Sequence, residues 1–192
     1  IRGLVNANLI SEQEAIDNLH QKREVSPSLM RLMGEVLGRI HDTLPGQGNA
    51  IVVGWDERPD NKLLAKYLTL GLQISGCQVI QIGVCATPTL HYATLQNSAR
   101  IGCMITASHN PVSDSGLKIF DAFGFKTTPE LEKEITILAE QLSKEEREID
   151  NIELEKISKP HLDYSQTDWG ENLHVNWLTK RLEHFQSLFG KF

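Results

Sequence analysis

The stretch with the most chemistry in it is Met104-Ile-Thr-Ala-Ser-His-Asn-Pro111. An apolar run delivers Thr106, Ala107, Ser108, His109 and Asn110 into a turn that Pro111 closes. Short polar side chains and a proline suit a tight turn for backbone reasons alone, so a plain strand-to-loop turn is one reading. The other is a nucleophile, since a serine at the end of a strand with a histidine beside it can carry a covalent intermediate. A serine hydrolase elbow would want G-x-S-x-G, and Thr106 and Asn110 stand at its glycine positions. A phosphate-binding P-loop would want a glycine-rich run ending in Lys-Ser or Lys-Thr, which this stretch lacks.

The elements around the turn decide how it is held. Ser26-Pro27 gives a helix start, with the serine as cap and proline at the first helical position, and Leu29, Met33, Val36, Leu37 and Ile40 recur at helical spacing. Ala50–Val53 reads as a buried strand and Gly54–Asn61 as a loop. Then come a helix over Lys62–Ser75, a strand over Gln78–Ile82 and a helix from Thr87-Pro88 to Gln96. A strand over Arg100–Thr106, the polar loop Ala107–Ser115, a strand over Gly116–Asp121 and a helix from Thr128-Pro129 to Leu142 follow. Strands alternating with helices predict an α/β domain with a largely parallel sheet. Sites in such folds form in loops at the carboxyl ends of strands, and Gly54–Asn61, Gly83–Thr87 and Ala107–Ser115 are those loops. Residues 143–159 are rich in Glu and Lys, 160–172 lack periodicity, and Trp177, Leu178, Leu182, Phe185 and Phe189 repeat at helical spacing.

The chain has 192 residues, 40% hydrophobic and 23% charged, which is enough for a real core in an ordinary globular protein. Its formal charge of −6 argues against nucleic acid as a partner. No apolar run is long enough to span a membrane, and residues 1–20 do not read as a secretory signal. The chain opens on Ile1, so residues upstream are expected. Cys77, Cys85 and Cys103 are odd in number and lack C-x-x-C spacing; free, buried thiols in a reducing cytoplasm are the expectation.

Thr106-Ala-Ser-His-Asn-Pro111 resembles the active-site serine loop of the α-D-phosphohexomutases. Four companions occur in the family's order: Ile1-Arg2-Gly3, Val53-Gly54-Trp55-Asp56-Glu57-Arg58, Thr87-Pro88-Thr89 and Asp114-Ser115-Gly116-Leu117-Lys118. The resemblance runs from Ile1 to about Leu142 and fades toward Phe192. It implies the family's first domain over residues 1–142, a three-layer α/β fold with a mixed, mainly parallel sheet flanked by helices. Residues 143–172 would be a charged connector, and 173–192 the lead-in helix of a second domain.

The resemblance also implies a reaction: a phosphorylated serine gives its phosphate to a sugar monophosphate, and the other phosphate of the resulting bisphosphate returns to the serine. Ser108 takes the phosphoserine role. Mg²⁺ is the implied cofactor, with the Ser108 phosphate as one ligand and three aspartates of a following domain as the others. Lys118 matches a general acid/base, His109 a group at the reacting centre, and Arg2 a residue near the phosphoserine. Lys118 could equally face solvent, His109 cap its own turn, and Arg2 sit on a frayed end. Asp56 and Arg58 read as a structural ion pair holding their loop. The implied partners are a hexose or hexosamine phosphate and the protein's remaining domains. A segment running from Asp114 to Phe120 and then Gly124-Phe125-Lys126 leans toward phosphoglucosamine mutases.

The sequence departs from the family pattern at several points. Trp55 stands where Arg is usual, Asp60 and Asn61 where Ser-Gly is common, and Ser115 where Asn precedes the glycine. The metal, sugar and distal-phosphate loops belong to domains two to four, so the 192 residues by themselves are expected to be inactive. A non-catalytic remnant that binds a phosphosugar, or a protein through Trp177, Phe185 and Phe189, is the alternative.

Overall fold

The computed structural model describes residues 25–143 and 159–190. Five helices and a five-stranded sheet account for them: α1 (Pro27–Ile40), β1 (Ala50–Trp55), α2 (Asn61–Ile74), β2 (Gln78–Val84), α3 (Thr87–Gln96), β3 (Ile101–Ile105), β4 (Leu117–Asp121), α4 (Pro129–Ser143), β5 (Leu162–Asp163) and α5 (Trp169–Phe189), with a 3₁₀ turn at His41–Thr43. The strand order is β4-β3-β1-β2-β5. β1 runs parallel to β2 and β3, and β2 parallel to β5. β4 alone is antiparallel, pairing Ile105 with Leu117 and Met104 with Lys118. Its direction follows from its connection: a helix carries the chain back between β1 and β2 and between β2 and β3, whereas only the serine loop joins β3 to β4.

Alternation along the strands makes the three layers. Ile51, Val53 and Trp55 of β1 pack with α1, α2 and α4 on one face, together with Ile101, Cys103 and Ile105 of β3. Val52, Ile80, Ile82 and Met104 face the other way, against Leu90 and Ala93 of α3 and the start of α5. The expected mixed, mainly parallel α/β architecture is what the chain adopts.

Local signals act as the sequence suggests. Ser26 Oγ accepts the Leu29 amide at 3.2 Å, capping α1, whose first residue is Pro27. α1 and α2 cross where both carry glycine. A Cβ on Gly71 would fall on the Arg31 carbonyl, and one on Gly34 on the Leu68 carbonyl.

Two elements differ from the sequence reading. Leu162–Asp163 forms an edge strand where no periodicity was visible, and α5 starts at Trp169, four residues early. A two-residue strand with both side chains exposed has no pattern to read. It is held by backbone bonds on either side, His161 N to Val79 O at 2.7 Å and Tyr164 N to Gln81 O at 2.8 Å. Tyr164 then stacks on Trp169 with ring centroids 4.6 Å apart, fixing the entry to α5. Within the expected connector, Leu162–Asp163 therefore pairs with the edge of this sheet.

Gly71→Ala should force the two helices apart and cost about 1–3 kcal/mol, as overpacking does. Urea unfolding measures it, and an unchanged midpoint would contradict the close crossing.

Candidate active site

β1 and β3 lie side by side and end together, so the loops that follow them meet. The Asp56 amide donates to the Ile105 carbonyl at 3.1 Å, continuing the pairing past the end of β1. Its carboxylate then becomes a hub. Oδ1 accepts the Arg58 amide at 3.2 Å and Asn61 Nδ2 at 2.6 Å. Oδ2 accepts Arg58 Nε at 3.1 Å and Thr106 Oγ1 at 2.6 Å. Four donors on one carboxylate fix its orientation.

So oriented, the Arg58 guanidinium reaches across to the serine loop. Its Nη2 donates to the Ser108 carbonyl at 2.8 Å and its Nη1 to the Pro111 carbonyl at 2.8 Å. The Asn110 carbonyl is shared between the two at 3.3 and 3.4 Å, and the Asp114 carbonyl lies 3.3 Å from Nη1. The loop is wound around a planar cation, with carbonyl dipoles pointing inward. Only a guanidinium has the fork of donors for this; an ammonium would serve fewer carbonyls.

The winding puts Ser108 in a rare conformation. Its φ is 55°, in the left-handed region, which costs a non-glycine residue about 1–2 kcal/mol. Its amide donates to Thr106 Oγ1 at 2.9 Å, on the same threonine whose hydroxyl donates to Asp56. Ser108, His109 and Asn110 form an exposed tip. Lys118 Nζ donates to Ser108 Oγ, so β4 brings the lysine back against the serine.

Of the residues expected to act, the structure brings Ser108 and Lys118 into contact. His109 stands beside Ser108, solvent-exposed and without a hydrogen-bond partner among the described residues. Arg2 lies outside the described residues. Asp56 and Arg58 do form the expected ion pair, at 3.1 Å. Sequence reasoning missed Arg58's second role, holding a loop some fifty residues away, and nothing in local spacing signals it. It also missed Thr106 and Asn61 as members of the network.

The cysteines are poor competitors as nucleophiles. All three are free. Burial pushes the Cys77 thiol up to about 11, helped by nearby Asp42, and Cys85 up to about 12. The wholly buried Cys103 is raised further, again by burial. No group of three His, Cys, Asp or Glu side chains converges to hold a metal among the described residues. No described helix is long and apolar enough to cross a membrane.

Residues 13–146 match the family described as "Phosphoglucomutase/phosphomannomutase, alpha/beta/alpha domain I". The chain belongs to that family. The match includes every described residue of the serine network and excludes Arg2. Curated relatives include a phosphoglucosamine mutase of Staphylococcus haemolyticus, 38% identical over 120 residues, and one of Staphylococcus aureus at 37%. Each alignment covers 62% of this chain and 27% of the relative, so the chain spans about a quarter of their length. Among solved structures, a putative phosphomannomutase from Thermus thermophilus is similar at a TM-score of 0.56 and 33% identity, over 61% of this chain and 26% of that one. A phosphoglucomutase/phosphomannomutase family protein from Burkholderia thailandensis shares the fold at a TM-score of 0.54 and 22% identity, over 62% of this chain and 27% of its own.

Two outcomes are expected. Arg58→Ala should lose about 2–3 kcal/mol by stranding the Asp56 carboxylate and the loop carbonyls, and Arg58→Lys should recover less than half of it; chemical denaturation reads both. Raised thiols are protonated below their shifted values, so at pH 8 only about a thousandth of Cys77 is thiolate, taking its value of about 11. Iodoacetamide at that pH should leave the native cysteines unlabelled and label all three in denaturant.

Proposed function

We propose that this chain is the phosphoserine-bearing domain of a phosphohexomutase that interconverts hexose 1-phosphate and 6-phosphate, with Ser108 as the phosphate carrier. The observation that carries the reading is the contact of Lys118 Nζ with Ser108 Oγ inside a loop held by Arg58. Phosphoryl transfer asks a protein mainly for position and charge, and this arrangement offers both.

In the forward half-reaction a sugar hydroxyl oxygen forms the new bond to phosphorus, and the bond from phosphorus to Ser108 Oγ breaks. Lys118 gives its proton to the departing Oγ and takes up the proton that the sugar hydroxyl loses. The second half-reaction runs the same exchange backward from the other phosphate of the bisphosphate. His109, on the exposed tip beside Ser108, would meet the substrate phosphate. Arg2, matched to the family pattern in sequence alone, is proposed to grip phosphate oxygens near Ser108.

Mg²⁺ fits the donor chemistry, because a phosphate on Ser108 presents the hard oxygen ligands the ion prefers. Its remaining ligands are proposed to be the three aspartates of a following domain that the family resemblance implies. When bound, Mg²⁺ would neutralise charge that builds on the transferring oxygens.

The exposure of the tip supports the same division of labour. A phosphoryl group on Ser108 would stand in water unless another surface covered it. α5 supplies a second pointer: its amino-terminal half packs on α3, while Leu182, Phe185, Leu188 and Phe189 lie 49–67% exposed. We read α5 as the lead-in to a second domain that packs on this apolar face, with residues 1–142 as the first domain and the segment to 172 as its connector. The same face would serve the non-catalytic alternative, a remnant that binds a phosphosugar or a partner protein.

Among substrates, glucosamine phosphate is favoured, since the segment from Asp114 to Lys126 and the phosphoglucosamine mutase relatives lean the same way. Phosphomannomutase or phosphoglucomutase activity is the alternative. A cytoplasmic location goes with substrates of that kind and with free thiols.

The test is turnover by the longer protein encoded around this chain, offered glucosamine, mannose and glucose phosphates in turn. Glucosamine phosphate should be fastest. Ser108→Ala should remove about four orders of magnitude or more, and Lys118→Ala about two to four. The 192 residues alone should be inactive. Undiminished turnover in Ser108→Ala would end the reading.

A further inference from the structure

Two of the positions at which this sequence departs from the family pattern, Asn61 and Ser115, touch each other. Ser115 Oγ donates to Asn61 Oδ1 at 2.7 Å, across 54 residues of chain. Asn61 opens α2 and is wholly buried. The helix start has no side-chain cap from Asp60, and the side-chain bonds of Asn61 run away from its own helix. Its Nδ2 donates to Asp56 Oδ1 at 2.6 Å and to the Ile105 carbonyl at 3.1 Å. Both amide hydrogens and an acceptor lone pair are thereby used in a site closed to water.

That node stands where it can set geometry. Ile105 ends β3, and Ser108 follows three residues later. Ser115 leads into β4, and Lys118 follows three residues later. The Asn61 amide thus ties together the two chain segments from which the serine and the lysine are suspended, and links both to the carboxylate that orients Arg58.

We infer that Asn61 and Ser115 are a coupled positioning pair that sets Lys118 against Ser108. Asn61 supplies the amide of this node from the first turn of α2, and Ser115 supplies its hydroxyl from the residue before Gly116. Neither residue touches the reacting atoms; each acts through Asp56, Ile105 and β4. The functional weight of this pair rests on the proposed roles of Ser108 and Lys118, while the coupling itself is a statement about the folded chain.

Amide hydrogen exchange by NMR on the 192-residue chain tests it, with Ser115→Ala, Asn61→Gly and the exchange variant Asn61→Gly/Ser115→Asn. The probes are the Thr106 and Ser108 amides, whose acceptors are the Gly116 carbonyl and Thr106 Oγ1. Losing one internal hydrogen bond should speed their exchange about fivefold in Ser115→Ala, with Val52 of β1 and Ile80 of β2 unchanged and the Lys118 ammonium contact to Ser108 lost. The exchange variant should return both amides to within about twofold of the parent and restore the lysine contact. Asn61→Gly by itself removes three bonds from a buried site; should it fail to fold, recovery of folding in the exchange variant supports the pair as directly. Acceleration spread evenly over the sheet in Ser115→Ala, or an exchange variant as impaired as Asn61→Gly, would overturn the inference. Neither readout needs phosphate or turnover. A coupled pair in a protein without mutase activity would therefore sink the functional reading and spare this one, and an active enzyme with additive variants would do the reverse.

Discussion

The Asp56 carboxylate is the fixed point of this site. It sits where β1 ends beside β3, and its four hydrogen bonds spread to Arg58, Asn61 and Thr106. Through Arg58 it gathers the carbonyls of the serine loop, and through Thr106 it holds the Ser108 amide. An exposed loop would otherwise have little reason to keep a serine at positive φ. The cost of the left-handed turn is offset by an ion pair only 10% and 27% exposed at its two side chains, where charge-assisted bonds are stronger than at an open surface.

The antiparallel β4 is the other half of the design. A purely parallel extension would carry the chain away on a helix after β3. The direct return over the serine loop instead sets Lys118 beside Met104 in register, close enough for its long side chain to reach Ser108. Ser108, in the loop that leaves β3, and Lys118, on β4, are thus anchored to adjacent strands of one sheet. The tip of the serine loop, Ser108 to Asn110, stands exposed above this sheet.

Much of this was legible in the sequence. Apolar runs of strand length between helical periods marked four strands, and Ser26-Pro27 and Thr128-Pro129 marked helix starts because capping chemistry is local. The serine loop was legible because its residue types are unusual together. β5 was not, since a two-residue edge strand is held by backbone atoms that every sequence possesses. Arg58 was only half legible: its pairing with Asp56 lies two residues away, but its grip on residues 108 to 114 depends on β1 and β3 being neighbours. Asn61 was visible only as a departure from pattern, and its meaning needed the contact with Ser115.

The central claim, that Ser108 carries the transferable phosphate, is tested most directly by phosphopeptide mapping of the intact protein as it is isolated, before and after exposure to its sugar monophosphate. The account predicts a single phosphate on the peptide bearing Ser108, lost to the sugar on mixing. An unmodified Ser108, or a phosphate there that the sugar cannot remove, would contradict it.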